Sequence, residues 1–296
     1  MRPAMTQKPR TVLVTGASRG IGEQAALRFA GRGDALVLAS RDQTSLDVVA
    51  DACRVAGAAE VLTVATDIGD PEAVASLFDT AVGRFGGVDV VVQNASVAAF
   101  GRFTDIPSDV FDAVIRVNVL GAAAVCRAAL TQFRAQGHGS LVVVGSLLGH
   151  AAVPLMSPYV MSKFAITALV RMLRQETRGE RHITVHGIYP GAVDTAIYPL
   201  SANYFGRLAR VLPFNDPPEK MARAIVAAAD GRSGEKQVGL ANRPMLLGYR
   251  IVPRVFDMMV RPLMGTLSFT RRPLDPTTGN VIAPVPQTPA VADTHR

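Results

Sequence analysis

The 296-residue chain contains no tryptophan, five tyrosines and only two cysteines, Cys53 and Cys126. Both cysteines fall in stretches with helical spacing, so no disulfide framework is expected and the chain reads as suited to a reducing, cytoplasmic setting. No run approaches eighteen uncharged apolar residues, so no transmembrane helix is expected. The opening "MRPAMTQKPR" has basic residues but no apolar stretch of secretory type behind it, and residues 1–9 read as a flexible arm. Blocks of Lys and Arg interleaved with stacking aromatics are missing too, which argues against nucleic-acid binding despite a net charge of +7. A metal site is not expected either. His182 and His186 are four apart, but in a strand-like stretch where that spacing does not give helical ligand geometry.

Apolar residues make up 49% of the chain, enough for a substantial core. They are arranged as short runs alternating with helical patterns. "TVLVTG" (11–16), "ALVLAS" (35–40), "VLTVATD" (61–67), "VDVVVQNA" (88–95), "SLVVVGS" (140–146) and "ITVHGIYPG" (183–191) read as strands, and "KQVGLA" as a last one. Between them lie helical patterns: residues 22–33, Thr44 to Gly57, Pro71 to Gly86, Ser108 to about Gln136, and one containing "SPYVMSKFAITALVRML". A further helix is expected in "NDPPEKMARAIVAAADG", with Asp216 as N-cap, Pro217 in the first turn and Gly231 beyond the end. Strands apolar on both faces and separated by helices imply an α/β fold, a doubly wound parallel sheet with ligands at the carboxyl ends of its strands. One such domain is expected over 10–241, an extension over 242–272, and a flexible Pro-rich tail over 273–296.

The first strand runs into "TGASRGIG": Thr15, Gly16, Ala17, Ser18, Arg19, Gly20, Ile21, Gly22. Glycines there let the backbone turn tightly and approach a pyrophosphate, while the following helix offers free N–H groups to its charge. This implies a dinucleotide site. Tyr159 and Lys163 are four apart on a helix, so a phenol and an ammonium share one face.

The spacing T-G-x-x-x-G-x-G resembles the short-chain dehydrogenase/reductase superfamily, and four more motifs follow in order. "NAS" (94–96) is similar to the family's Asn-Ala-Gly, with Ser96 in place of the glycine; Asn118 lies mid-helix; Ser146 precedes Tyr159-x-x-x-Lys163; and "PGAVDT" (190–195) resembles the segment that cups the nicotinamide. The resemblance covers about residues 10–240 and implies a Rossmann fold, hydride transfer and a homo-oligomer. It makes Asn118, Ser146, Tyr159 and Lys163 the expected catalytic residues: Tyr159 as acid/base, Ser146 holding the substrate oxygen, Lys163 also binding ribose, and Asn118 positioning a relay water. An ammonium about 4 Å away would draw a tyrosine from its usual ~10 toward about 7. The expected cofactor contacts are Gly16, Ser18, Arg19, Gly20, Ile21, Gly22, Ser40, Arg41, Asp67, Ile68, Asn94, Ala95, Tyr159, Lys163, Pro190, Gly191, Val193 and Thr195.

Strand two ends in Ser40 and Arg41 rather than an acid, and with Arg19 two guanidinium groups suit a 2′-phosphate, favouring NADP(H). Asp42 keeps an NAD reading open. The implied activity is oxidoreduction of a carbonyl or secondary alcohol. Tyr198, Leu200, Tyr204, Phe205 and Leu212 lie where the family has a substrate loop and suggest an apolar substrate; His150 either lines that pocket or faces water. A 3-oxoacyl thioester reductase and a non-catalytic dinucleotide-binding sensor or scaffold are the alternatives. In 242–272, six arginines outnumber one acid, and Pro253 and Pro262 bracket about two helical turns. Three readings stand there: a packing strap, a substrate-site cover, or peripheral contact with an anionic membrane.

Overall fold

The computed structural model describes residues 9–231 and 234–285, so the arm 1–8 and the last part of the expected tail, 286–296, lie outside the described residues. Val12, Leu13 and Val14 are all fully buried, leaving the first strand no solvent face. That is the condition of a strand inside a parallel sheet covered on both sides.

In chain order the strands are β1 (Thr11–Thr15), β2 (Ala35–Ser40), β3 (Glu60–Ala65), β4 (Val90–Gln93), β5 (Ala99–Phe100), β6 (Gly139–Val144), β7 (Ile183–Pro190), β8 (Ala202–Asn203), β9 (Arg207–Ala209), β10 (Glu235–Val238) and β11 (Phe269–Pro273). The helices are α1 (Gly20–Ala30), α2 (Gln43–Ala56), α3 (Pro71–Phe85), α4 (Ser108–Ile115), α5 (Ala122–Gln136), α6 (Ser157–Glu176), α7 (Ile197–Leu200), α8 (Pro218–Ala229), α9 (Asn242–Ile251) and α10 (Pro253–Leu267). Seven strands form one parallel sheet in the order β10-β7-β6-β4-β1-β2-β3. Helices α1, α2 and α8 cover one face; α3, α5 and α6 cover the other. This is the doubly wound, Rossmann-like architecture expected. From β1 the chain winds outward through β2 and β3, then crosses back to β4 and proceeds the other way. The reversal opens a crevice above the carboxyl ends of β1 and β4.

Several local expectations change. The helical stretch from Ser108 to Gln136 is continuous but holds a π-helical segment, Arg116–Gly121, between α4 and α5. By length and hydropathy it would cross a membrane, yet 56% of its most apolar window is buried inside the protein. Asp216 does not cap α8, which starts at Pro218 behind Pro217. Its backbone pairs instead with Ala192 and Asp194, and its carboxylate with Lys220 at 2.6 Å, pinning the loop after β7. Pro262 does not end a helix: α10 continues through it to Leu267. The amide it lacks would have served the Met258 carbonyl, on an exposed side of the helix that water can reach.

The largest departure is the tail. Residues 274–285 fold back rather than trail away. Thr277 bridges to Asn203, the Asn280 amide donates to the Leu200 carbonyl at 2.8 Å, and Val281, 2% exposed, enters the main core. These backbone bonds were invisible to a reading based on proline content.

Candidate active site

The glycine turn closes against β4 so tightly that side chains are excluded. Gly16 has φ +64°, and a Cβ there would lie 2.7 Å from the Ala95 Cα; at Gly22 it would lie 2.2 Å from the Gly16 carbonyl oxygen. Thr15 locks the two loops. Its hydroxyl donates to Gln93 Oε1 at 2.5 Å and accepts the Asn94 and Ala95 amides at 3.1 and 3.2 Å. The Asn94 side chain returns two bonds, to the Thr15 and Gly16 carbonyls. The "NAS" motif therefore holds the glycine turn in shape.

Every expected cofactor contact except Gly22 lines the resulting cleft, which is also lined by Ser146. Gly22 lies beneath it, packed on Gly16. Arg19 and Arg41 line one end of it; burial lowers the pKa of both, and the charge on Arg41 lowers that of Arg19 further. Asp42 is turned toward the Ser45 hydroxyl, with Arg19 4.0 Å away. Sequence reasoning missed what meets the arginines from the far side. Arg41 donates to the carbonyls of Val281 (3.1 Å) and Asn280, and Arg19 to that of Val285 (2.9 Å). Asn280, Pro284 and Val285 thus wall the cleft. No local pattern signals a contact 239 residues distant.

At the other end, Ser157 and Pro158 begin α6, and the next residues aimed into the cleft are Tyr159 and Lys163. The expectation that Lys163 draws Tyr159 down toward neutrality does not hold for the chain by itself. Burial pushes the phenol up to about 12, partly offset by its hydrogen bond with Ser146. The same burial lowers Lys163 to about 8; among the described residues its ammonium donates to the Val144 carbonyl, at 3.4 Å, and approaches the Tyr159 ring at 5.4 Å. Desolvation is the leading cause for both groups.

Asn118 does not line the cleft. In the π-helical segment its side chain accepts the Val97 amide at 2.9 Å and donates to the Val97 carbonyl at 2.8 Å and the Ser162 hydroxyl at 3.0 Å. Its side-chain amide fastens the 95–97 loop to α6. His150 also falls outside: it packs edge-on against Tyr189 at 4.5 Å, and burial lowers its pKa. Two further groups face the cleft. The Ser96 hydroxyl is buried with no hydrogen-bond partner among the described residues, and the half-buried Tyr198 lies near Tyr159.

A second cavity opens from the same catalytic corner. Ser146 and Tyr159 line it as well, together with Phe100, Val153, Met156, Leu212, Met245 and Met264. Its walls are overwhelmingly apolar, and Met245 and Met264 come from α9 and α10. Of the expected substrate-loop residues, Leu212 and Tyr198 reach it; Phe205 packs on Phe269 at 4.2 Å, and Tyr204 packs against the core.

A doubly wound sheet, a glycine turn at its switch point and a Ser-Tyr-Lys cluster together define a nucleotide-dependent oxidoreductase. The model of the family "short chain dehydrogenase" matches residues 10–202, and the chain belongs to that family. It is 29% identical over 272 residues to the uncharacterized oxidoreductase YxnA of Bacillus subtilis, covering 91% of this chain and 76% of that one. It is 35% identical over 190 residues to versicolorin reductase stcU of Emericella nidulans, covering 64% and 71%. Among solved structures, an alcohol dehydrogenase from the archaeon Thermococcus sibiricus, complexed with 5-hydroxy-NADP, superimposes with a TM-score of 0.67 at 30% identity over 78% of this chain and 97% of that one.

Proposed function

We propose that the protein transfers hydride between NADP(H) and a carbonyl or secondary alcohol of an apolar substrate, with Tyr159 as acid/base. The observation that carries this reading is the shared corner. Ser146 and Tyr159 line both the polar cleft and the apolar cavity, so a cofactor in one and a substrate in the other would meet at the phenol.

The cleft fits a dinucleotide. Gly16 and Gly22 leave backbone where a Cβ would clash, the first turn of α1 faces the cleft, and the Ser96 hydroxyl is buried without a partner among the described residues. Arg19 and Arg41 would hold a 2′-phosphate. Each guanidinium has five N–H donors and spends only one or two on the carbonyls of 280–285. Bound NADPH supplies the hydride. The chain's residues handle the proton and the orientation. Ser146 donates a hydrogen bond to the substrate oxygen and keeps it beside Tyr159. As the carbonyl carbon becomes tetrahedral, Tyr159 gives its proton to that oxygen and becomes a phenolate; with the phenol pushed up to about 12, the donor form prevails at neutral pH. Lys163 offsets the phenolate's charge, and solvent returns the proton. In the oxidative direction Tyr159 must accept the proton, so alcohol oxidation is expected to fall as pH falls.

The test follows NADPH and NADH oxidation with ketones, quinones, steroids and acyl thioesters. Rapid turnover of apolar ketones with NADPH supports the reading. Preference for acyl thioesters selects the 3-oxoacyl reductase alternative; equal use of both cofactors turns attention from Arg41 to Asp42; and cofactor binding without turnover of any class selects the sensor.

A further inference from the structure

Helices α9 and α10 carry a second, outward-facing surface that neither cleft nor cavity uses. Leu247, Ile251, Val255, Met258, Met259 and Leu263 are all large, apolar and between 47% and 71% exposed. On α10 the exposed apolar positions fall at 255, 258, 259 and 263, the spacing of one helical stripe, opposite the buried Met264. Exposed apolar residues gathered on two adjoining helices mark a contact site.

Charge says what the contact is. Arg254 and Arg261 lie seven residues apart on one side of α10, with Met258 between them on the edge of the stripe. Arg243 and Arg250 repeat the arrangement on α9 around Leu247. None of the four forms a salt bridge among the described residues, and Asp257 is the one acid in the two helices. A second copy docking by this same face would bring eight arginines together with two acids. An anionic surface accepts them all.

We infer that the α9–α10 face docks on an anionic lipid bilayer, its apolar stripe entering the headgroup boundary and its arginines pairing with acidic headgroups. The inner faces of the same helices supply Met245 and Met264 to the substrate cavity. An apolar molecule dissolved in the bilayer would therefore lie about one helix diameter, roughly 10 Å, from the cavity.

The test is co-sedimentation of the full chain with vesicles of phosphatidylcholine alone or containing phosphatidylglycerol. It needs no substrate, so its outcome is separate from that of the proposed reaction. Binding is expected to the anionic vesicles and to weaken with salt. R254Q/R261Q should weaken it about thirtyfold, at about fivefold per arginine; M258E/M259E should abolish it. Both pairs are solvent-exposed, so melting temperatures should be preserved. Equal binding to neutral vesicles, absence of binding, or full binding by both variants would overturn the inference. Variants that change the molecular mass in lipid-free solution, without vesicle binding by the parent, would assign the face to a second copy; capture of an acidic protein without vesicle binding would assign it to a protein partner.

Discussion

Replacing Lys163 with methionine is expected to make the protein more stable while abolishing turnover. The ammonium is enclosed, with its pKa lowered from the ordinary 10.5 to about 8 by loss of water. At about 1.4 kcal/mol per pH unit, that gap is a cost of about 3 kcal/mol for keeping the charge at neutral pH. The lost approach to the Tyr159 ring returns about 1 kcal/mol, and the bond to Val144, at 3.4 Å, is too long to add much. Methionine has nearly the same length and no charge, so a net gain of about 2 kcal/mol follows. In a chain of this size the melting temperature would rise by about 3 °C. The pH dependence identifies the cause. Below pH 8 both folded and unfolded chains hold the proton and the full cost applies. Between about 8 and 10.5 the unfolded chain holds a proton the folded one has released, so the parent gains stability as pH rises and the variant's advantage shrinks. Thermal unfolding of both proteins at pH 7, 9 and 10.5 measures this. A variant less stable than the parent at pH 7, or an advantage constant across pH, would refute the argument.

Tyr159→Phe removes only the phenolic oxygen and should lower turnover by about 10²–10⁴ with NADPH affinity unchanged, measured by cofactor fluorescence in a chain free of tryptophan background. Arg41→Ala should raise the NADPH Kd about tenfold or more and leave NADH nearly unaffected, since a charge-assisted contact is worth about 1.5–3 kcal/mol; an equal loss for both cofactors would point to misfolding of the cleft instead. Gly279→Val should undock residues 277–285, because φ is +51° there and a Cβ would lie 2.3 Å from the Leu200 carbonyl oxygen. Faster proteolysis within that segment and a lower melting temperature would show it.

What was legible in the sequence was whatever is written in neighbouring residues. The strand-helix alternation follows from apolar runs and their period, and the glycine turn from residues whose backbone must approach something closely. Tyr159 and Lys163 were legible because one helical turn relates them. Two kinds of feature were hidden. Asn118 was readable as a residue type, but not that a π-helical segment turns its amide to Val97 and Ser162, 21 and 44 residues away in sequence. The ordered stretch after Pro273 looked like a polar, proline-rich tail because its partners, Arg19, Arg41, Leu200 and Asn203, belong to distant parts of the chain. The ionisation of Tyr159 failed for a related reason. Spacing reveals that a cation is near, whereas burial, which decides the outcome here, exists only in the folded molecule.

The passage from Asn242 to Val285 reaches both ends of the cleft: its helices wall the apolar cavity, and its last described residues grip Arg19 and Arg41. One uninterrupted stretch of chain therefore borders both the apolar cavity and the arginine end of the cleft. Transplanted onto a related dehydrogenase, it would transmit substrate range and adenosine-side grip as a single heritable unit. A crossover falling inside it, near Pro273, would part the two and yield chimeras altered in one property alone. Divergence among relatives in this stretch is thus expected to move both traits together.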